Sequence, residues 1–154
     1  MLGFDGTAVS PEWAELQARY KPGGMILFAR NLEHPAQIVE LTNGLQARSP
    51  RSPLLIAIDQ EGGRVSRLPD GFTIFPPCGT VGACRSEELA YAAAAVTAAE
   101  LRAVGINMNM APVLDVHSNP DNPIIGDRAY GTDPDIVAEL GVAAIRGFQG
   151  KGVV

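Results

Sequence analysis

The sequence predicts an α/β fold built on a parallel sheet. Three observations point there: strand-like and helix-like segments alternate along the whole chain, the clearest strand is apolar throughout, and the two longest loops both follow strands. At 154 residues with 46% hydrophobic side chains, the chain has enough apolar content for one core, and one domain is the natural count.

The elements follow in order. Leu2-Gly3-Phe4 is a short apolar piece that reads as the end of a first strand. Ser10-Pro11-Glu12 supplies an N-cap, a proline at the first helical position and an acidic first turn. That helix should run to about Tyr20 and stop at Pro22-Gly23-Gly24. Met25 to Phe28 is a continuous apolar run of strand length. Pro35 opens a helix with Ile38, Leu41 and Leu45 on one face, broken by Ser49-Pro50 and Ser52-Pro53. Leu54 to Ile58 shows no polar alternation, so both faces should be buried, as in parallel strands.

Glu87 to Val104 is an Ala-rich helix with Gly105 placed to end it. Ile106 to Met110 reads as another strand, although Asn107 and Asn109 alternate with its apolar residues and suit a barrel interior or a polar cleft. Asp133-Pro134 caps a last helix to about Phe148, and Gly152-Val153-Val154 reads as the start of a strand. Two architectures fit this order, an open doubly wound sheet or part of a (β/α)8 barrel. Gly3-Phe4-Asp5-Gly6 does not supply the glycine fingerprint that a nucleotide-binding open sheet places after its first strand.

Composition narrows the function classes. Twelve Lys and Arg against 17 Asp and Glu give a net charge of −5, which argues against nucleic acid and anionic membrane as partners. The longest nearly apolar stretch, Leu89 to Ala99, is far short of the roughly 20 residues that span a bilayer. The N-terminus lacks the basic and apolar regions of a signal peptide. Cys78 and Cys84 form neither a disulfide framework nor a zinc site, so a reducing, cytoplasmic setting is expected. No residue cluster implies a metal, nucleotide or redox cofactor.

The chemistry sits in the two long loops. The first opens Asp59-Gln60-Glu61-Gly62-Gly63-Arg64-Val65-Ser66-Arg67. An Asp at a strand exit is held rigidly and can accept from two neighbouring hydroxyls. Arg67 can donate a planar fork into the same space, or the two simply tie down the loop. Glu61 and Arg64 read as structural. In the second loop, Gly126 and Gly131 bracket Asp127-Arg128, so a turn can present the arginine, with Asp127 orienting it or merely neutralising it. Asp115 either faces ligand or caps loop amides. His34 and His117 read as loop or surface structure, and Trp13 as helix packing.

The segment from Asp59 to Arg67 resembles the D-x-E-G-G-R-V-x-R stretch of the family 3 glycoside hydrolases, and more narrowly of the bacterial β-N-acetylhexosaminidases that recycle peptidoglycan. Gly24 to Asn31, Ala111 to Val116 and Asp127 to Gly131 are similar to three further segments of that family, in its order and approximate spacing. The resemblance implies a TIM-like barrel with the site at the carboxyl ends of the strands. It implies sugar-binding roles for Asp59, Arg67 and Arg128, a carbohydrate partner containing N-acetylglucosamine, and retaining exo-hydrolysis in cell-wall turnover. A β-glucosidase-type activity and a non-catalytic sugar-binding role are the alternatives. The family's K-H-F-P-G-type segment, its later His-Asp pair and its Asp nucleophile have no match before Val154. The expectation is therefore the N-terminal half of a (β/α)8 barrel, four βα units and the start of a fifth strand, with no catalytic residue in residues 1–154 and no activity by itself.

Overall fold

The computed structural model describes residues 1–49 and 52–154. Five α-helices and three strands follow one another among the described residues: α1 (Pro11–Tyr20), β1 (Gly24–Leu27), α2 (Pro35–Ala47), β2 (Leu55–Ile58), α3 (Cys78–Cys84), α4 (Glu87–Ala103), β3 (Met108–Asn109) and α5 (Pro134–Gln149). The three strands are parallel and lie in chain order, β1-β2-β3.

Local chemistry sets the helix ends. Ser10 accepts the Trp13 N–H at 3.1 Å, with Pro11 opening α1. His34 caps α2 through Nδ1, which accepts the Gln37 N–H at 3.2 Å. Ser86 caps α4 and Asp133 caps α5. Beyond α4 the chain turns at Gly105, whose φ of 82° is open to glycine at little cost. Of the breaks expected after α2, Pro50 lies outside the described residues.

Register places Met25, Leu27, Ile56 and Ile58 on one sheet face, all free of solvent contact. They pack with Ile38 and Leu45 of α2, Leu101 of α4, Leu140 of α5, and with Ile106 and Val153. The opposite face carries Gly24, Ile26, Leu55, Ala57 and Met108. It is partly open, and Leu55 is 43% exposed.

Four βα units and a fifth strand are not all seen: among the described residues three strands form. A single parallel bridge, Leu2 to Met25, stands where the first was expected. Two hydrogen bonds stand where the fifth was expected, Asn109 N–H to Val154 at 2.8 Å and Val154 N–H to Asn107 at 3.0 Å. Side-chain amides stop the ladders. Asn31 accepts the Phe28 N–H at 3.0 Å and donates to the Phe4 carbonyl at 3.0 Å, so its amide separates backbone groups that would otherwise pair. Asn107 and Asn109 do the same between β3 and β2, which shortens β3 from the expected Ile106 to Met110 to two residues. Among the described residues, no helix is long and apolar enough to cross a membrane.

Candidate functional site

The site is assembled at the carboxyl ends of β2 and β3. Asp59 leaves β2 directly after Ile58. Gly62 and Gly63, at φ 99° and 56°, then turn the chain back on itself, and Glu61 and Gly62 both donate to the Val65 carbonyl. The reversal returns Arg67 to Asp59, Nη2 to Oδ2 at 2.9 Å.

Gln60 holds that reversal from inside. Its side chain is buried, and its Oε1 accepts the N–H groups of Arg67 at 2.7 Å and Leu68 at 3.2 Å while Nε2 donates to Ser66 Oγ at 2.9 Å. Its own backbone is clamped by Asn109, which accepts the N–H at 3.0 Å and donates to the carbonyl at 2.9 Å. β3 therefore fixes the loop that follows β2. Farther along the same loop, Thr73 is tied to α4, its N–H and hydroxyl both donating to the Glu100 carboxylate.

The second loop meets the first through arginines from both sides. Arg64 donates to the carbonyls of Pro123, Ile124 and Ile125. Arg128, at the end of the 3-10 turn Gly126–Arg128, forms a two-point pair with Glu61: Nε to Oε2 at 2.8 Å and Nη2 to Oε1 at 2.7 Å. The Glu61 side chain is 4% exposed and that of Arg128 is 23% exposed. The hydrogen bond to Glu61 raises the guanidinium pKa above its ordinary value, with the charges of Asp59 and Asp115 adding to it.

The predicted residues sort plainly. Asp59, Arg67, Glu61 and Arg128 form the cluster. Asp127 does not pair with its neighbour Arg128; it lies 3.6 Å from Arg64. Asp115 is exposed beside the cluster. His34 caps a helix, and Trp13 stacks on Phe4 with ring centroids 5.3 Å apart. His117 lies in the second loop, where its N–H donates to the Gly131 carbonyl. Sequence reasoning missed Gln60 and Glu100, which carry no motif signal of their own, and did not foresee Asn109 as a backbone clamp.

Chemically, the cluster keeps unused capacity. Arg67 Nε is buried without a hydrogen-bond partner. Arg128 gives its Nε, one Nη2 and one Nη1 hydrogen to Glu61 and the Ile124 carbonyl, which leaves one N–H on each η nitrogen. One carboxylate and two planar donors suit a ring bearing several hydroxyls. Among the described residues, no group of three or more His, Cys, Asp and Glu side chains converges as a metal site would.

Residues 2–154 match the family described as Glycosyl hydrolase family 3 N terminal domain. The chain is 50% identical over its whole length to a protein named beta-hexosaminidase from Nitrosomonas eutropha, of which it covers 45%. It is 44% identical over 96% of its length to beta-hexosaminidase A from Pseudoalteromonas piscicida, covering 26% of that protein. Among solved structures, it matches a family 3 beta-N-acetylglucosaminidase from Paenibacillus sp. FPU-7 with a TM-score of 0.96 and 48% identity, covering all of this chain and 30% of that one. NagZ from Neisseria gonorrhoeae, in complex with N-trifluoroacetyl-D-glucosamine, matches with a TM-score of 0.91 and 33% identity over 99% of this chain and 46% of that one. The chain thus spans less than half the length of each of these relatives.

Proposed function

We propose, from the premise that this chain belongs to glycosyl hydrolase family 3 through its N-terminal domain, that the full-length protein carrying it removes terminal N-acetyl-β-D-glucosamine residues. The observation that carries this reading is that the Asp59–Arg67 and Glu61–Arg128 pairs are gathered at the strand ends. Beta-hexosaminidase relatives along the whole chain support it.

In this reading Asp59 accepts from neighbouring ring hydroxyls through the oxygen Arg67 leaves free, while Arg67 and Arg128 donate to ring substituents. Rigid donors and acceptors of this kind fix the sugar against the reacting groups. A retaining mechanism also needs a nucleophilic carboxylate and a proton donor about 5 Å apart across the glycosidic bond. We propose that neither is supplied by Asp59 or Glu61, each of which is engaged by an arginine, and that both lie outside residues 1–154. Cytoplasmic turnover of cell-wall fragments is the setting proposed for the reaction.

The test compares hydrolysis of an aryl N-acetyl-β-glucosaminide with that of the aryl β-glucoside by the full-length protein. Preference for the acetamido sugar is the expected result. Preference for glucose would shift the substrate to a β-glucoside, and silence on both would overturn a hydrolytic role. Arg67→Ala should raise KM for the preferred sugar by about tenfold or more, with a smaller change in kcat.

A further inference from the structure

The Glu61 carboxylate is nearly removed from water, and such burial is not explained by stability, since a well-packed apolar pair serves the fold about as well as a buried ion pair. Nor is the pair needed to staple the two loops. Arg64 alone donates to three successive carbonyls of the second loop. What Glu61 does is fix a plane: its two oxygens take Nε and Nη2. The single Ile124 carbonyl on Nη1, which alone would leave the guanidinium free to pivot, adds a third point. Its remaining N–H groups, one on each η nitrogen, then keep a fixed direction.

We propose that Glu61 is the positioning residue for Arg128, locking the guanidinium through a two-point pair so that its free η N–H groups meet the sugar already oriented. The inference rests on the reading of this cluster as a sugar site. Glu61 itself does not touch the ligand; it acts through Arg128.

The experiment is a double-mutant cycle in the full-length protein, with Glu61→Gln, Arg128→Ala and the two combined, assayed on an aryl N-acetyl-β-glucosaminide. Glutamine keeps the shape but has one acceptor oxygen, so the two-point pair is lost. The expected result is a loss of about 10- to 100-fold in kcat/KM for Glu61→Gln, carried mainly by KM. No further loss should follow when Arg128 is already alanine. Glu61→Asp should recover part of the loss, and it enters the cycle in place of Gln if the Gln variant does not fold. Losses that multiply in the double variant, or a Glu61→Gln enzyme within about twofold of wild type, would overturn the proposal.

A wild-type protein silent on the substrate overturns the functional reading instead. Glu61 is then judged by the Arg128 Nε–H signal in 15N NMR. A sharp, slowly exchanging resonance lost in Glu61→Gln supports the lock, and an unchanged one refutes it.

Discussion

Single side chains divide by what surrounds them rather than by type. Burial pushes the Cys78 thiol pKa up, against the Tyr130 hydroxyl and the Val113 backbone, which favour the thiolate, whereas Cys84 is exposed. A raised pKa means less thiolate at neutral pH, and burial also blocks access. A thiol reagent at pH 7–8 should therefore modify Cys84 rapidly and leave Cys78 untouched until the protein unfolds; mass spectrometry of the labelled peptides decides it. Asn109→Ala strips the Gln60 backbone of both partners in a buried setting. The cost should be about 2 kcal/mol or more in denaturant titration, with KM rising because the Arg67 loop loosens. At this scale the sequence offered the charged side chains of the two loops but not their partners. Asp59 and Arg67 lie eight residues apart across a tight reversal, and their pairing was among the readings available. Arg128 passes over its chain neighbour Asp127 for Glu61, 67 residues away, because neighbours in a 3-10 turn point in different directions.

Elements with their own start and stop signals were legible; elements made by packing were not. Ser10-Pro11, Pro35 and Asp133-Pro134 marked the starts of three helices, and the Ala-rich run ending at Gly105 marked a fourth, whose Ser86 cap only the structure shows. The helix α3 went unseen, since Cys-Gly-Thr-Val-Gly-Ala-Cys has neither a side-chain cap nor amphipathic spacing. It forms where the second loop lies across it, so closely that a Cβ on Gly82 would overlap the Tyr130 carbonyl. Gly82→Ala should therefore lift the loop that carries Arg128. A fall in melting temperature together with a loss of about tenfold or more in kcat/KM is expected, where a purely local effect would change the first alone.

For the whole molecule, the parallel α/β plan followed from alternation and from the apolar run of β2, while barrel closure is a property of more strands than the three that form here. The chain produced as residues 1–154 alone keeps a partly open sheet face and edges covered only by Leu2 and Val154, with Leu55, Met110 and Leu114 43–50% exposed. It should self-associate, and light scattering coupled to size exclusion will show a mass above 16.2 kDa if so. The order β1-β2-β3 also matters for how the molecule is made. Each strand docks beside the one synthesised just before it, so the sheet can grow while the ribosome is still working, at about 5–20 residues per second. The Asp59–Arg67 contact closes within eight residues and can form early. Arg128 emerges 67 residues after Glu61, leaving that carboxylate without its partner for several seconds of every round of translation.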